Sequence, residues 1–99
     1  MPSSDPYDLA HLIEMTADGD RDAFSDLYDR VAPAVIGIAR RTILDWALAE
    51  EIAHDALVEV WQKADRYSPE RGSVMAWIGT ITRRRAIDVI RSIEARRRR

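Results

Sequence analysis

This sequence of 99 residues contains no cysteine and only two histidines. Without cysteine, the chain can form neither a disulfide framework nor a thiolate metal site. Two histidines provide few candidates for a general acid or base, and the sequence shows no Ser–His–Asp arrangement. The N-terminus lacks a secretory signal, and no apolar run approaches the roughly 20 residues that span a bilayer. We therefore expect a cytoplasmic protein with no membrane insertion and little capacity for acid–base catalysis.

Charge is distributed unevenly along the chain, although the formal total is only −2. Up to Glu70 there are 15 acidic and 6 basic side chains. From Arg71 onward nine arginines face only Asp88 and Glu94. This asymmetry predicts one surface that binds a polyanion and another that repels it or meets a basic partner.

Apolar residues recur at helical spacing through most of the chain, and no segment alternates strictly enough to predict a strand. The pattern predicts an all-α, compact bundle of about four helices, the third of which runs from about Leu48 to Ala64. Pro33 lies within the second helical pattern and should kink or split it. We divide the chain into an N-terminal helix or extension (1–18), a main domain (19–95) and a basic tail or linker start (96–99).

The last helix, which Ser73 should cap, carries Arg83, Arg84, Arg85 and Arg91 and leads into the arginine tail. The planar guanidinium group suits phosphate oxygens and guanine edges. This clustering on one element predicts nucleic-acid contact, and the alternative is a solvated face or a tail that only aids solubility.

The third helix carries Glu51, Asp55 and Glu59 at intervals of four residues, which predicts an acidic stripe on its outer face. A docking surface for a basic partner and a merely solvated face both fit this pattern. Glu51 and His54 also have the Glu-x-x-His spacing of di-iron bundles, but such a site needs inward-facing carboxylates from two further helices. A metal-binding bundle is therefore the least favoured alternative. Trp46 lies outside any apolar stripe and is predicted to be exposed.

Three segments together resemble extracytoplasmic-function sigma factors. Residues 49–61, Ala-Glu-Glu-Ile-Ala-His-Asp-Ala-Leu-Val-Glu-Val-Trp, are similar to the family's Ala-Glu-Asp…Gln-Glu…Trp segment. Residues 71–78 and 83–91 are similar to the family's segments on the C-terminal side of that tryptophan. The likeness extends from about Asp18 to Arg91. It implies the sigma-2 domain of a bacterial transcription initiation factor, which is not an enzyme and needs no cofactor of its own because polymerase does the chemistry.

The resemblance implies two partners and assigns residues to each. The third helix would dock on the clamp helices of the RNA polymerase β′ subunit through Glu51, His54, Asp55 and Glu59. The last helix and the loop before it would recognise the minus-ten promoter element and hold its non-template strand open. The implied DNA-binding residues are Ser68, Arg71, Ser73, Arg83, Arg84, Arg85, Asp88 and Arg91. An anti-sigma factor is a further implied partner.

The chain departs from the family pattern at three points. Arg84 stands where many relatives have Asn, which shifts the expected contact toward phosphate or guanine. His54 stands where Gln is common; it can still form a hydrogen bond, and we expect it to make docking sensitive to pH. The C-terminal helix-turn-helix domain of the family is absent, so we expect a shortened protein or one isolated domain. A small helical DNA-binding module that acts independently of polymerase is the main alternative.

Overall fold

A computed structural model describes residues 8–98 of the chain. Over that range the fold contains four α-helices and no strand: α1 (Leu9–Ala17), α2 (Arg21–Thr42), α3 (Trp46–Lys63) and α4 (Val74–Arg97). Two short 3₁₀ turns, Ala64–Arg66 and Pro69–Arg71, connect α3 to α4. The prediction of an all-α bundle is confirmed. Residues 1–7 of the predicted N-terminal element and Arg99 of the predicted tail lie outside the described residues.

Each of these α-helices begins at a side chain that caps it. The carboxylates of Asp8, Asp20 and Asp45 accept hydrogen bonds from the backbone N–H three residues ahead. The Ser73 hydroxyl oxygen accepts one from the Ala76 N–H at 3.1 Å, as the sequence predicts. Such caps satisfy backbone donors that have no partner within the helix. The helix boundaries are therefore set by the local sequence.

Helix α2 continues through Pro33 without a break. Of the two predicted alternatives at Pro33, a kink or a split, the split does not occur. Pro33 and Asp29 are both exposed, so the carbonyl oxygen of Asp29 that loses its intrahelical donor lies on the solvent side. Val31 and Val35, on either side of the proline, are completely buried and fix both halves of the helix against the core.

The core lies where α2, α3 and α4 pack against one another pairwise, while α1 covers α2 and the first 3₁₀ turn. All four helices contribute to the main apolar cluster, with fully buried Leu12, Leu27, Leu57 and Ile78 among its members. A smaller second cluster consists of Ala39, Ile43, Ala49, Ile52 and Ala86. Because α3 and α4 lie side by side, their outward faces form two different surfaces of one body.

Candidate interfaces on α3 and α4

The outward face of α4 forms a groove lined mainly by charged side chains, which we call the arginine groove. Its residues recur at intervals of three and four, so the helix places them on one face. All of them are exposed. The residues of the arginine groove are Thr80, Arg83, Arg84, Ile87, Asp88 and Arg91. Three of the four predicted helix arginines, together with the predicted Asp88, are thus brought together.

Arg83 has a defined position at the edge of this groove. Its guanidinium group folds back by one helical turn onto Gly79, which is buried beside Ile38 of α2. A Cβ atom at residue 79 would lie 3.3 Å from Nη1 of Arg83 and 3.4 Å from Cδ1 of Ile38. Glycine at this position therefore leaves room both for the close approach of α2 and for the arginine.

Arg85 does not join the groove. Consecutive helical residues are about 100° apart, so the third arginine of the run turns toward α3. Its Nε donates a hydrogen bond to Oε1 of Glu59 at 2.7 Å. The prediction that Arg85 shares one surface with Arg83 and Arg84 is wrong for this reason.

Glu59 does not lie on the outer face of α3, and this part of the acidic-stripe prediction is also wrong. Only 8% of the residue is exposed. Besides Arg85, it accepts a hydrogen bond from Nζ of Lys63, the only lysine in the sequence, at 3.1 Å. Burial alone would raise the pKa of Glu59, but the hydrogen bonds and charges of Lys63 and Arg85 hold that pKa below its usual value. The ionised carboxylate of Glu59 thus links α3 to α4.

The loop before α4 is closed by a tyrosine. The Tyr67 hydroxyl donates to the carbonyl oxygen of Gly72 at 2.8 Å, across the second 3₁₀ turn. Gly72 has φ 129°, which favours glycine. The Tyr67 ring also packs on Trp77 of α4, with ring centroids 5.6 Å apart. Tyr67 therefore fixes the turn in two ways, through its hydroxyl bond to Gly72 and through the packing of its ring on Trp77.

The predicted loop residues differ in what they offer. Arg71 is exposed, and Ser68 is half-buried. The Ser73 hydroxyl oxygen is engaged as the cap of α4, although its proton can still be donated to a ligand. The loop residues Arg66 and Arg71 meet α3 and α4 at a second, basic groove, lined by Glu59, Lys63, Arg66, Arg71, Trp77, Thr80, Ile81 and Arg84.

Lys63 and Arg66 were missed as members of a basic surface. Both lie in the half of the sequence that is acidic overall. The chain reverses at the loop, so these two cations come to lie beside Arg84 of α4. Only the closeness of Lys63 and Arg66 to the predicted loop could have indicated this in the sequence.

The outward face of α3 retains the rest of the acidic stripe. Glu51, His54 and Asp55 are all exposed, as predicted. Nδ1 of His54 lies 3.3 Å from the Tyr28 hydroxyl, a hydrogen bond that links this face to α2. One turn further on, a shallow apolar groove is lined by Arg21, Phe24, Val58 and Trp61. An acidic surface beside an apolar groove suits a partner helix with basic and apolar side chains.

Trp46, predicted to be exposed, begins α3 and is 67% exposed. The guanidinium carbon of Arg40 lies 3.4 Å from the centre of its ring, a cation–π contact. The buried Arg40 Nε has no hydrogen-bond partner. The Arg40 side chain, near the end of α2, therefore covers one face of the Trp46 indole.

Residues 8–98 offer neither a metal site nor a membrane span. No group of three or more His, Cys, Asp or Glu side chains within that range could hold a metal ion. No helix there is long and apolar enough to cross a membrane. The exposed acids Glu51 and Asp55 on α3 and the arginine groove on α4 form two oppositely charged surfaces, an arrangement that suits the binding of macromolecules.

Comparison with known proteins identifies the family. The family model described as Sigma-70 region 2 matches residues 27–98. This chain therefore belongs to the sigma-70 region 2 family, which confirms the resemblance to sigma factors.

Among individual relatives, the chain is 43% identical over 88 residues to the ECF RNA polymerase sigma factor SigK of Mycobacterium sp. (strain KMS). That match covers 89% of this chain and 46% of the relative. The protein of the same name from Mycobacterium ulcerans (strain Agy99) is 38% identical, with 89% and 47% covered. The chain thus spans slightly less than half of the length of these relatives.

Proposed function

We propose that this domain takes part in transcription initiation: α3 binds the RNA polymerase core, and α4 with its preceding loop binds the minus-ten promoter element. The observation that carries the proposal is the separation of charge over the two helices. Glu51 and Asp55 are exposed on α3, whereas Arg83, Arg84 and Arg91 gather on α4. Membership of the sigma-70 region 2 family supports the same assignment.

On the DNA side, Arg83, Arg84 and Arg91 bind phosphates along the arginine groove. Each phosphate that is neutralised releases condensed counterions, so binding weakens steeply as salt rises. Arg71 and Arg66 extend the cationic surface from α4 to the loop. Arg85 is left out of this set because its Nε is already bonded to the Glu59 carboxylate.

The loop between residues 68 and 73 accounts for the preference for melted DNA. Extruding a base from a duplex costs a few kcal/mol. A loop that contacts only the extruded base offsets this cost, and the closure of the turn by Tyr67 presents that loop in one conformation. The domain therefore captures unpaired non-template strand, and the catalytic chemistry belongs to the polymerase.

On the protein side, Glu51, His54 and Asp55 meet the basic clamp helices of the polymerase β′ subunit. Electrostatic complementarity of this kind raises the association rate and selects the partner. The exposed His54 supplies a further hydrogen-bonding group on this surface. The domain acts in the cytoplasm, where polymerase works, and an anti-sigma factor regulates it by covering one of these two faces.

Two binding measurements test the proposal. In a pull-down with bacterial core polymerase, reversing the charge of Glu51 and Asp55 to lysine should abolish capture. The matched control reverses two exposed acids elsewhere, Glu14 and Asp18, and should be captured like the wild type. Failure of the wild type to bind polymerase while it still binds DNA would support the polymerase-independent module instead.

The second measurement titrates single-stranded and duplex minus-ten oligonucleotides over a salt series. Arg84→Ala should weaken binding and lower the salt slope by about one unit, because one phosphate contact is lost. Arg21→Ala removes an equal charge from the exposed start of α2, beside the apolar groove, and should leave the slope unchanged. An unchanged slope with an altered base preference in Arg84→Ala would mean that Arg84 reads a base.

A further inference from the structure

Ile87 is an exposed apolar side chain in the middle of the arginine groove. It is 42% exposed. On α4 its neighbours at i−4, i−3 and i+4 are Arg83, Arg84 and Arg91, all of which line the same groove. A single exposed isoleucine elsewhere on a protein needs no explanation. Here it lies at the centre of the surface that we assign to DNA.

The arrangement of Arg83 helps to leave Ile87 uncovered. Long arginine side chains often lay their methylene groups over apolar neighbours. Arg83 instead extends toward the start of α4, where its guanidinium group rests on Gly79 beside Ile38. It therefore points away from Ile87, which lies one turn on in the opposite direction.

Asp88 gives the centre of the groove a second distinctive property. Its carboxylate is exposed beside Ile87 and repels phosphate, whereas Arg84 and Arg91 on either side attract it. A DNA strand whose phosphates are bound by the flanking arginines is therefore expected to present its base edges, rather than its backbone, to Ile87 and Asp88. A carboxylate accepts hydrogen bonds from base amino groups, and an apolar side chain fits the C5-methyl group of thymine.

We infer that Ile87 contacts the 5-methyl group of a thymine in DNA bound along the arginine groove, and so gives the domain a preference for thymine at one position. This inference rests on the proposed DNA-binding function. It assigns base specificity to an aliphatic residue in a helix whose other exposed side chains bind mainly the backbone.

Deoxyuridine provides the test because it lacks only the thymine methyl group. Each thymine of a single-stranded minus-ten oligonucleotide is replaced in turn, and affinity is measured by fluorescence anisotropy at low salt. For the wild type, one replacement should weaken binding by about fourfold, the factor that corresponds to burying one methyl group. A parallel series in duplex DNA shows whether the base is read before or after melting, and thymine preference in either form supports the inference.

The variant Ile87→Ala should bind equally the thymine oligonucleotide and the oligonucleotide with deoxyuridine at the sensitive position. Both affinities should be close to that of the wild type for the deoxyuridine form. Leu44→Ala is the matched control, since Leu44 is an exposed aliphatic residue outside the arginine groove, and it should retain the full preference. If the wild type binds every uracil substitute as tightly as the thymine form, the inference is wrong and the proposed function stands. If the wild type binds no DNA at all, the proposed function itself fails.

Discussion

The buried carboxylate of Glu59 links α3 to α4 in addition to their apolar packing, and its removal should destabilise the domain. In Glu59→Gln the side chain keeps its shape and loses its charge. Hydrogen bonds to charged groups each contribute about 1.5–3 kcal/mol when well buried. The side chains of Arg85 and Lys63 are 38% and 40% exposed, so water can solvate them once the carboxylate is gone. We therefore expect a loss of only about 1–2 kcal/mol, after discounting for that solvation.

A double-mutant cycle separates the two partners of Glu59. The Lys63 pair lies within one helix at i,i+4, and such pairs contribute about 0.3–0.5 kcal/mol. The Arg85 pair joins two helices at 2.7 Å, so its coupling energy should be larger, about 1 kcal/mol or more. The cycles combine Glu59→Gln with Arg85→Met and with Lys63→Met.

Urea unfolding monitored by far-ultraviolet circular dichroism measures each free energy of unfolding. Each kcal/mol lost should also lower the Tm by about 4–8 °C in a domain of this size. Two results would refute this interpretation of Glu59. One is an unchanged unfolding midpoint in Glu59→Gln, and the other is a coupling to Lys63 as large as that to Arg85.

Two further predictions concern pH and the loop. Because the folded-state pKa of Glu59 is lowered, its contribution to stability is fully present above the carboxyl pKa of the unfolded chain and is lost as pH falls through the folded value. Urea midpoints of the wild type should therefore fall more steeply on acidification than those of Glu59→Gln, whereas parallel curves would contradict this. Tyr67→Phe removes the bond that closes the loop and should weaken binding of single-stranded minus-ten DNA about two- to tenfold, the range for one neutral hydrogen bond. Tyr28→Phe, which loses its hydroxyl beside His54, is the control, and an equal effect in both variants would argue against a role of the loop.

The local sequence was sufficient to predict where helices begin, but it did not predict which side of each helix packs against a neighbouring helix. Ser73 caps α4 as expected, because a cap depends on residues only three positions apart. The acidic stripe failed at Glu59, because steps of four residues drift by about 40° each around a helix of 3.6 residues per turn. Two such steps carry the side chain from the solvent to the neighbouring helix. Which helix lies there depends on tertiary packing.

The same limit explains the partial success at the candidate site. Arg84 and Arg91 lie seven residues apart, close to two full turns, so their common face can be predicted from spacing alone. Arg66 reaches the same surface only through the reversal of the chain at the loop. Exposure of Trp46 could be predicted, since it lies outside every apolar stripe, but its stacking with Arg40 joins the ends of two helices and has no signal in the sequence.

Every cationic side chain of the arginine groove is an arginine. The one lysine of the chain, Lys63, lies outside this groove and donates a hydrogen bond to Glu59. Arginine guanidinium groups are not deprotonated in proteins. Reagents or enzymes that acylate amines cannot neutralise such a surface. The positive charge of these guanidinium groups is consequently constant, so any acid or base sensitivity measured in DNA binding has to arise from groups other than the groove arginines.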